Sequence, residues 1–342
     1  MRSSITLRLP TIALCALTLL CACGDDDDTL PAPDAGRDAT VADLGSVDLG
    51  DVDLGSVDLG GLDAGLPPSD MGVPSCGTAR PTLTGVRGTE GLVIARDGTI
   101  YYSRSGGVGR ISVDGTSDDN WVNIAGASTV WGLALDASNA TLYVASPTSG
   151  AIYAVVTATG ASTELTGTLN QPNGLTMGPD GALYVGDFGD GAVYRVDTTS
   201  GATTEVTTSN VASANGVAFA PGDPNTLYVL SYSAGTLTAL TLDATHTETA
   251  RRVVARSLGN PDGITLDDAG RIYITDNGAG RVIQLAADGM APDVISTGAI
   301  GSAANLAFGV GVLDCHDLYV TSSGVMVRIA VADAVAAAVP WQ

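Results

Sequence analysis

From about residue 76 onward, apolar and polar positions alternate with a period of two over short runs, and the runs come in pairs joined by a glycine-bearing turn. The clearest pair is Asn260-Pro261-Asp262-Gly263-Ile264-Thr265-Leu266-Asp267-Asp268-Ala269-Gly270-Arg271-Ile272-Tyr273-Ile274-Thr275-Asp276. An acidic residue opens one strand, a turn follows, and a second strand ends in Tyr-Ile-Thr-Asp, which together read as a hairpin. The same shape recurs at Glu90-Gly91-Leu92, Trp131-Gly132-Leu133, Asn173-Gly174-Leu175, Asn215-Gly216-Val217 and, with Leu in place of Gly, Asn305-Leu306-Ala307. Its second strand returns as Ile100-Tyr101-Tyr102, Leu142-Tyr143-Val144, Leu183-Tyr184-Val185, Leu227-Tyr228-Val229 and Leu318-Tyr319-Val320. Six copies spaced 41 to 47 residues apart, each with room for about four short strands, predict an all-β fold: a six-bladed β-propeller.

In a propeller the first strand of every blade lines the channel, so the residues leading the six copies converge on one axis. They are Glu90, Trp131, Asn173, Asn215, Asp262 and Asn305, five of them with side-chain oxygens and none a His or Cys. Oxygen ligands arranged irregularly suit a hard cation, calcium before magnesium, and exclude soft metals.

Composition divides the chain into three. Residues 1–23 carry Arg2 and Arg8, an apolar run and small residues before Cys23, and read as an export signal too short to span a bilayer. Leu20-Cys21-Ala22-Cys23 resembles a lipobox, with Cys23 the lipidated residue; ordinary secretory cleavage is the alternative. The protein is then expected to be exported and lipid-anchored to a bacterial cell membrane, facing the periplasm or the exterior. Residues 24–75 hold 13 Asp and one Arg (Arg37) around a Val-Asp-Leu-Gly repeat. They are expected to form a disordered, self-repelling linker, and they carry 12 of the 22 net negative charges. Residues 76–342 are expected to be the propeller. The acidic balance and the lack of a basic stripe argue against nucleic-acid binding, and a monomer is expected.

A closed ring needs its edges covered. Arg80 to Arg87 is placed to supply the outer strand of the last blade. Cys76 precedes it and Cys315 falls in a turn of that blade, so in an exported chain a disulfide is the economical reading, with two buried thiols as the alternative. All 15 basic residues are Arg, which excludes Schiff-base lysines and P-loop chemistry. His246 and His316, the two imidazoles, fall in outer or turn segments and do not suggest a Ser-His-Asp hydrolase. Asp187 and Asp276 end second strands, where turn hydrogen bonding accounts for them.

Over residues 76 to about 330 the chain resembles the regucalcin, gluconolactonase and luciferin-regenerating enzyme family of calcium-dependent six-bladed propellers, which in turn resembles diisopropylfluorophosphatase. The resemblance rests on Pro261-Asp262-Gly263-Ile264, Ala214-Asn215-Gly216-Val217-Ala218-Phe219 and Ala304-Asn305-Leu306-Ala307-Phe308-Gly309. It implies one calcium held by Glu90, Asn173, Asn215 and Asp262. Where sugar-lactone members often carry an Arg and an Asp around the Asn of the third blade, this chain has Gln171 and Gly174. The expected activity is calcium-dependent hydrolysis of a small-molecule lactone or related ester. Asp262 is the preferred base and Glu90 mainly a ligand, the reverse roles staying open, while Trp131, Gln171 and Asn305 are expected to line the substrate pocket. The alternative is a non-catalytic propeller lipoprotein that binds a ligand or protein.

Overall fold

The computed structural model describes residues 76–331, except 85, 89 and 297–299. The expected signal, lipidation site and linker lie outside these residues.

Among the described residues six antiparallel sheets form, each from one contiguous stretch of chain. Blade one holds β1 (Leu92–Ile94), β2 (Ile100–Arg104), β3 (Gly107–Ile111) and β4 (Ser117–Asn123). Blade two holds β5 (Leu133–Leu135), β6 (Thr141–Ser146), β7 (Ala151–Val156) and β8 (Ser162–Thr166). Blade three holds β9 (Pro172–Met177), β10 (Leu183–Asp187), β11 (Ala192–Val196) and β12 (Thr203–Glu205). Blade four holds β13 (Ala214–Ala220), β14 (Asp223–Ser231), β15 (Thr236–Leu242) and β16 (Glu248–Ala255). Blade five holds β17 (Pro261–Leu266), β18 (Ile272–Asp276), β19 (Arg281–Leu285) and β20 (Asp293–Ser296). Blade six holds β21 (Ala303–Phe308), β22 (Asp317–Ser322) and β23 (Val325–Ala330). No helix occurs among the described residues.

The inner strands β1, β5, β9, β13, β17 and β21 touch in that order, and β21 returns to β1. The result is a closed six-bladed propeller. A blade has neighbours on both faces, which is why second strands such as β10 and β18 are buried along their whole length while outer strands such as β12 face solvent. Buried apolar side chains gather in six clusters, one at each joint between adjacent blades. Tyr102, Tyr184, Tyr273 and Tyr319 from the repeated second strands are the largest of the fully buried side chains.

The glycine after five of the six lead residues has a steric reason. A Cβ on Gly132 would stand 1.9 Å from the Asn173 carbonyl oxygen, and one on Gly216 would stand 2.5 Å from that of Asp262. Inner strands approach so closely that only a hydrogen fits between neighbours.

The seam differs from the expectation. Arg80 to Arg87 forms no outer strand of blade six, which has three strands among the described residues. Instead Gly77 and Ala79 make parallel bridges to Asp314 and Leu313 in the β21–β22 loop. Arg80 is drawn to the Asp314 and Asp317 carboxylates, at 2.9 and 2.8 Å, and Pro81 has no N–H to offer a ladder. Leu83 and Val86 then pack into the joint between blades six and one. The Cys76–Cys315 disulfide is formed, with Cα atoms 5.3 Å apart.

Candidate functional site

Three of the lead residues sit where the inner strand breaks register with its partner. The β13–β14 ladder shifts between Ala214 and Val217, β17–β18 between Pro261 and Ile264, and β21–β22 between Ala303 and Leu306. Such bulges free a residue from the ladder and re-aim its side chain, which is how Asn215, Asp262 and Asn305 come to be turned out of their pleats.

Second-strand hydroxyls hold the chain at the lead positions. Ser103 Oγ accepts from the N–H groups of Glu90 (3.1 Å) and Gly91 (2.8 Å). Thr275 Oγ1 accepts from Gly263 N–H (2.7 Å) and donates across the joint to Ala304 C=O (2.7 Å). Thr321 Oγ1 accepts from Asn305 N–H (3.1 Å) and donates to Glu90 C=O. That last bond crosses from blade six to blade one, so the ring closes at the site itself.

The Asp262 carboxyl is the centre of the cluster. It is 5% exposed and lies beside the side chains of Glu90 and Asn215, and Asn277 Nδ2 donates to Asp262 Oδ2 at 3.0 Å. Asn215 is buried at 2%, whereas Glu90 is half-buried. Burial pushes the Glu90 carboxyl up to about 7, against a smaller opposing pull from its hydrogen bond to Asp262. Asp262 is raised well above the carboxylate range, first by burial and then by the neighbouring Glu90 charge. Two acids desolvated together disfavour two negative charges and favour either a shared proton or a positive partner. Asn173, also buried, takes the next place in the ring on β9, beside β13.

The three residues expected to line a pocket differ in their surroundings. Trp131 is half-buried, its ring edge-on to Phe188 at 6.1 Å. Gln171 is exposed, and its backbone holds Phe188 N–H (2.9 Å) and the Asp187 carboxylate (3.0 Å). Asn305 is half-buried, and its Oδ1 accepts from Leu306 N–H at 2.8 Å, turning the amide oxygen back onto its own strand.

Sequence reasoning missed Asn277, Phe188 and Tyr232. All three are the residue just past the second strand of a blade. Each donates its N–H to the carbonyl two residues before the lead position: Phe188 to Gln171 (2.9 Å), Tyr232 to Ser213 (3.1 Å) and Asn277 to Asn260 (2.9 Å). Aligning the repeats on the end of the second strand, as well as on the start of the first, identifies this second set of mouth positions. Asp187 and Asp276 support them from below. Asp187 accepts from the N–H groups of Asn170, Gln171, Gly189 and Asp190, and Asp276 accepts from Asn260 N–H and pairs with Arg281 at 2.9 Å. His246 lies in the β15–β16 turn, 3.4 Å from Asp180, and His316 lies in the β21–β22 loop beside Asp314.

Fold and site together define a class: a six-bladed propeller whose channel gathers two carboxyls and several carboxamides from separate blades. The chain belongs to the SMP-30/gluconolactonase/LRE-like family, whose model matches residues 89–324. Solved structures share the fold. A gluconolactonase from Xanthomonas campestris is 23% identical with a TM-score of 0.61, covering 75% of this chain and 96% of its own. A calcium-binding protein, regucalcin, from Agrobacterium tumefaciens is 22% identical with a TM-score of 0.60, covering 77% and 95%. A luciferin-regenerating enzyme is 18% identical with a TM-score of 0.60, covering 74% and 94%. A search of curated proteins found no match.

Proposed function

We propose that the protein is a divalent-cation-dependent hydrolase of lactones or related esters. The observation that carries this reading is the convergence of Glu90 and Asp262, from blades one and five, into one desolvated pair beside Asn215. Such a pair fits a hard cation, because a positive ion offsets the repulsion that raises both acids, and Asn215 and Asn173 add neutral oxygen donors. Calcium is the preferred ion, and the names of the structural neighbours, gluconolactonase and calcium-binding regucalcin, support both the ion and the substrate class. When bound, the cation would polarise the substrate carbonyl and stabilise the negative charge that develops on its oxygen.

The chain's own residues do the remaining work. Asp262 accepts a proton from water as the water oxygen bonds to the carbonyl carbon. The bond from that carbon to the ester oxygen then breaks, and the proton returns to the departing oxygen, leaving an acid and an alcohol on one molecule for a lactone. Asn277 fixes the Asp262 carboxylate through Oδ2, and Glu90 remains a ligand. Attachment through a lipidated Cys23 is proposed with this reading, and the Cys76–Cys315 disulfide supports an oxidising compartment outside the cytoplasm.

The test is a screen of lactones and aryl esters with the purified full chain, run with calcium and then with chelator. A calcium-dependent rate that Asp262→Asn abolishes is the expected result. A rate indifferent to chelator and to that substitution rules the mechanism out, and calcium binding without turnover of any ester favours a non-catalytic binding propeller.

A further inference from the structure

Trp131, Phe188 and Tyr232 come from three consecutive blades, and their rings form one continuous edge-to-face series. The Trp131 and Phe188 centroids lie 6.1 Å apart at 70°, and those of Phe188 and Tyr232 lie 5.6 Å apart at 64°. The series ends at the acids: Tyr232 O–H is 3.5 Å from Asn277 Oδ1, and Asn277 Nδ2 donates to Asp262. All three residues are half-buried, in contrast to fully buried core side chains. The chain has only three Phe and three Trp, and one of each stands here, whereas the repeated second-strand tyrosines are buried in the joints between blades.

The surrounding charges do not answer to an anion. Arg104, which ends the second strand of blade one as Asp187 ends that of blade three, donates to Ser105 C=O (3.0 Å), to Val122 C=O (3.3 Å) and to the Asn123 side chain. Arg281 pairs with Asp276. A row of aromatic edges and faces beside reactive acids, with the neighbouring guanidinium groups committed elsewhere, offers its largest gain to a flat, uncharged ring.

We propose that Trp131, Phe188 and Tyr232 form the subsite for a planar aromatic ring, making aromatic-fused lactones and aryl esters the preferred substrates over polyol lactones. This deepens the hydrolase reading and rests on it for turnover, though not for binding.

The test uses unreactive lactam analogues with the full chain, followed by calorimetry and by quenching of tryptophan fluorescence. Three are compared: a benzo-fused lactam, the aliphatic lactam of the same ring size, and a polyhydroxylated lactam. The benzo-fused compound is expected to bind about tenfold or more tightly than either other compound, and Phe188→Ala to remove about tenfold of that preference, as loss of one aromatic contact implies. Phe188→Leu, which keeps an apolar side chain, is expected to retain part of it, and thermal unfolding of both variants checks that the fold is intact. Equal binding of the three lactams, tighter binding of the polyhydroxylated one, or a preference that Phe188→Ala leaves untouched in a folded variant overturns the proposal. Preferential aromatic binding in a protein that hydrolyses no ester upholds the subsite and rejects only the hydrolase reading.

Discussion

The Glu90 and Asp262 pair sets the electrostatics of the mouth, and its titration has a definite sign. Glu90, ordinarily near 4.5, holds its proton to about 7 in the folded chain, and Asp262 is raised as well. Between those values the unfolded chain binds fewer protons than the folded one, so stability is fully present below about 4.5 and is lost as pH rises through 7. Cation-free protein, made with chelator, is expected to show a falling melting temperature from pH 5 to pH 8, and added calcium to flatten that slope; thermal scans across the range check it. Asn277 acts on the same pair by holding Asp262 Oδ2. Asn277→Ala is expected to lower cation affinity or turnover by about 10- to 100-fold, as loss of an outer partner commonly does. Calorimetric titration with calcium separates the two effects.

At the scale of the strand, the repeat made the hairpins and their lead residues legible, because glycine after the lead residue and tyrosine in the second strand recur with fixed spacing. Glu90 and Asp262 could therefore be placed on one channel from sequence alone, and their side chains do meet. Asn277 and Phe188 were not legible in the same way, since their role depends on how far each second strand runs before the chain turns, a detail that apolar alternation does not encode. The seam was misread for a related reason. The place of Arg80 to Arg87 just ahead of the first lead residue, in a ring that needs closing, suggested a strand, but Arg80 is claimed by two carboxylates and Pro81 cannot donate to a ladder. Threonine hydroxyls gave no sequence signal at all, yet Thr321 ties blade six to the Glu90 carbonyl. Thr321→Val keeps the side-chain shape and removes the hydroxyl, leaving Asn305 N–H without that partner. It is expected to cost about 1–3 kcal/mol and to weaken cation binding, measured by denaturant unfolding and calorimetry.

Across the whole molecule, the ring is held by apolar joints, by close inner-strand contacts and by one covalent link at the seam. The Cys76–Cys315 bond spans 239 residues of chain. A Cys76→Ser/Cys315→Ser double variant is expected to lose about 2–4 kcal/mol, with unfolding more readily begun at blade six. Denaturant melts of the double variant and hydrogen exchange on β22 and β23 read both effects.

Among the described residues every sheet is made from an uninterrupted piece of the polypeptide, and the segment before blade one reaches blade six through isolated bridges and a disulfide rather than as a strand of its sheet. The six units are therefore interchangeable as starting points: the order in which a ribosome delivers them need not match the order in which they sit around the axis. A gene beginning at any of the connections between sheets would encode the same circle, and duplication or loss of a whole blade would leave every remaining sheet intact.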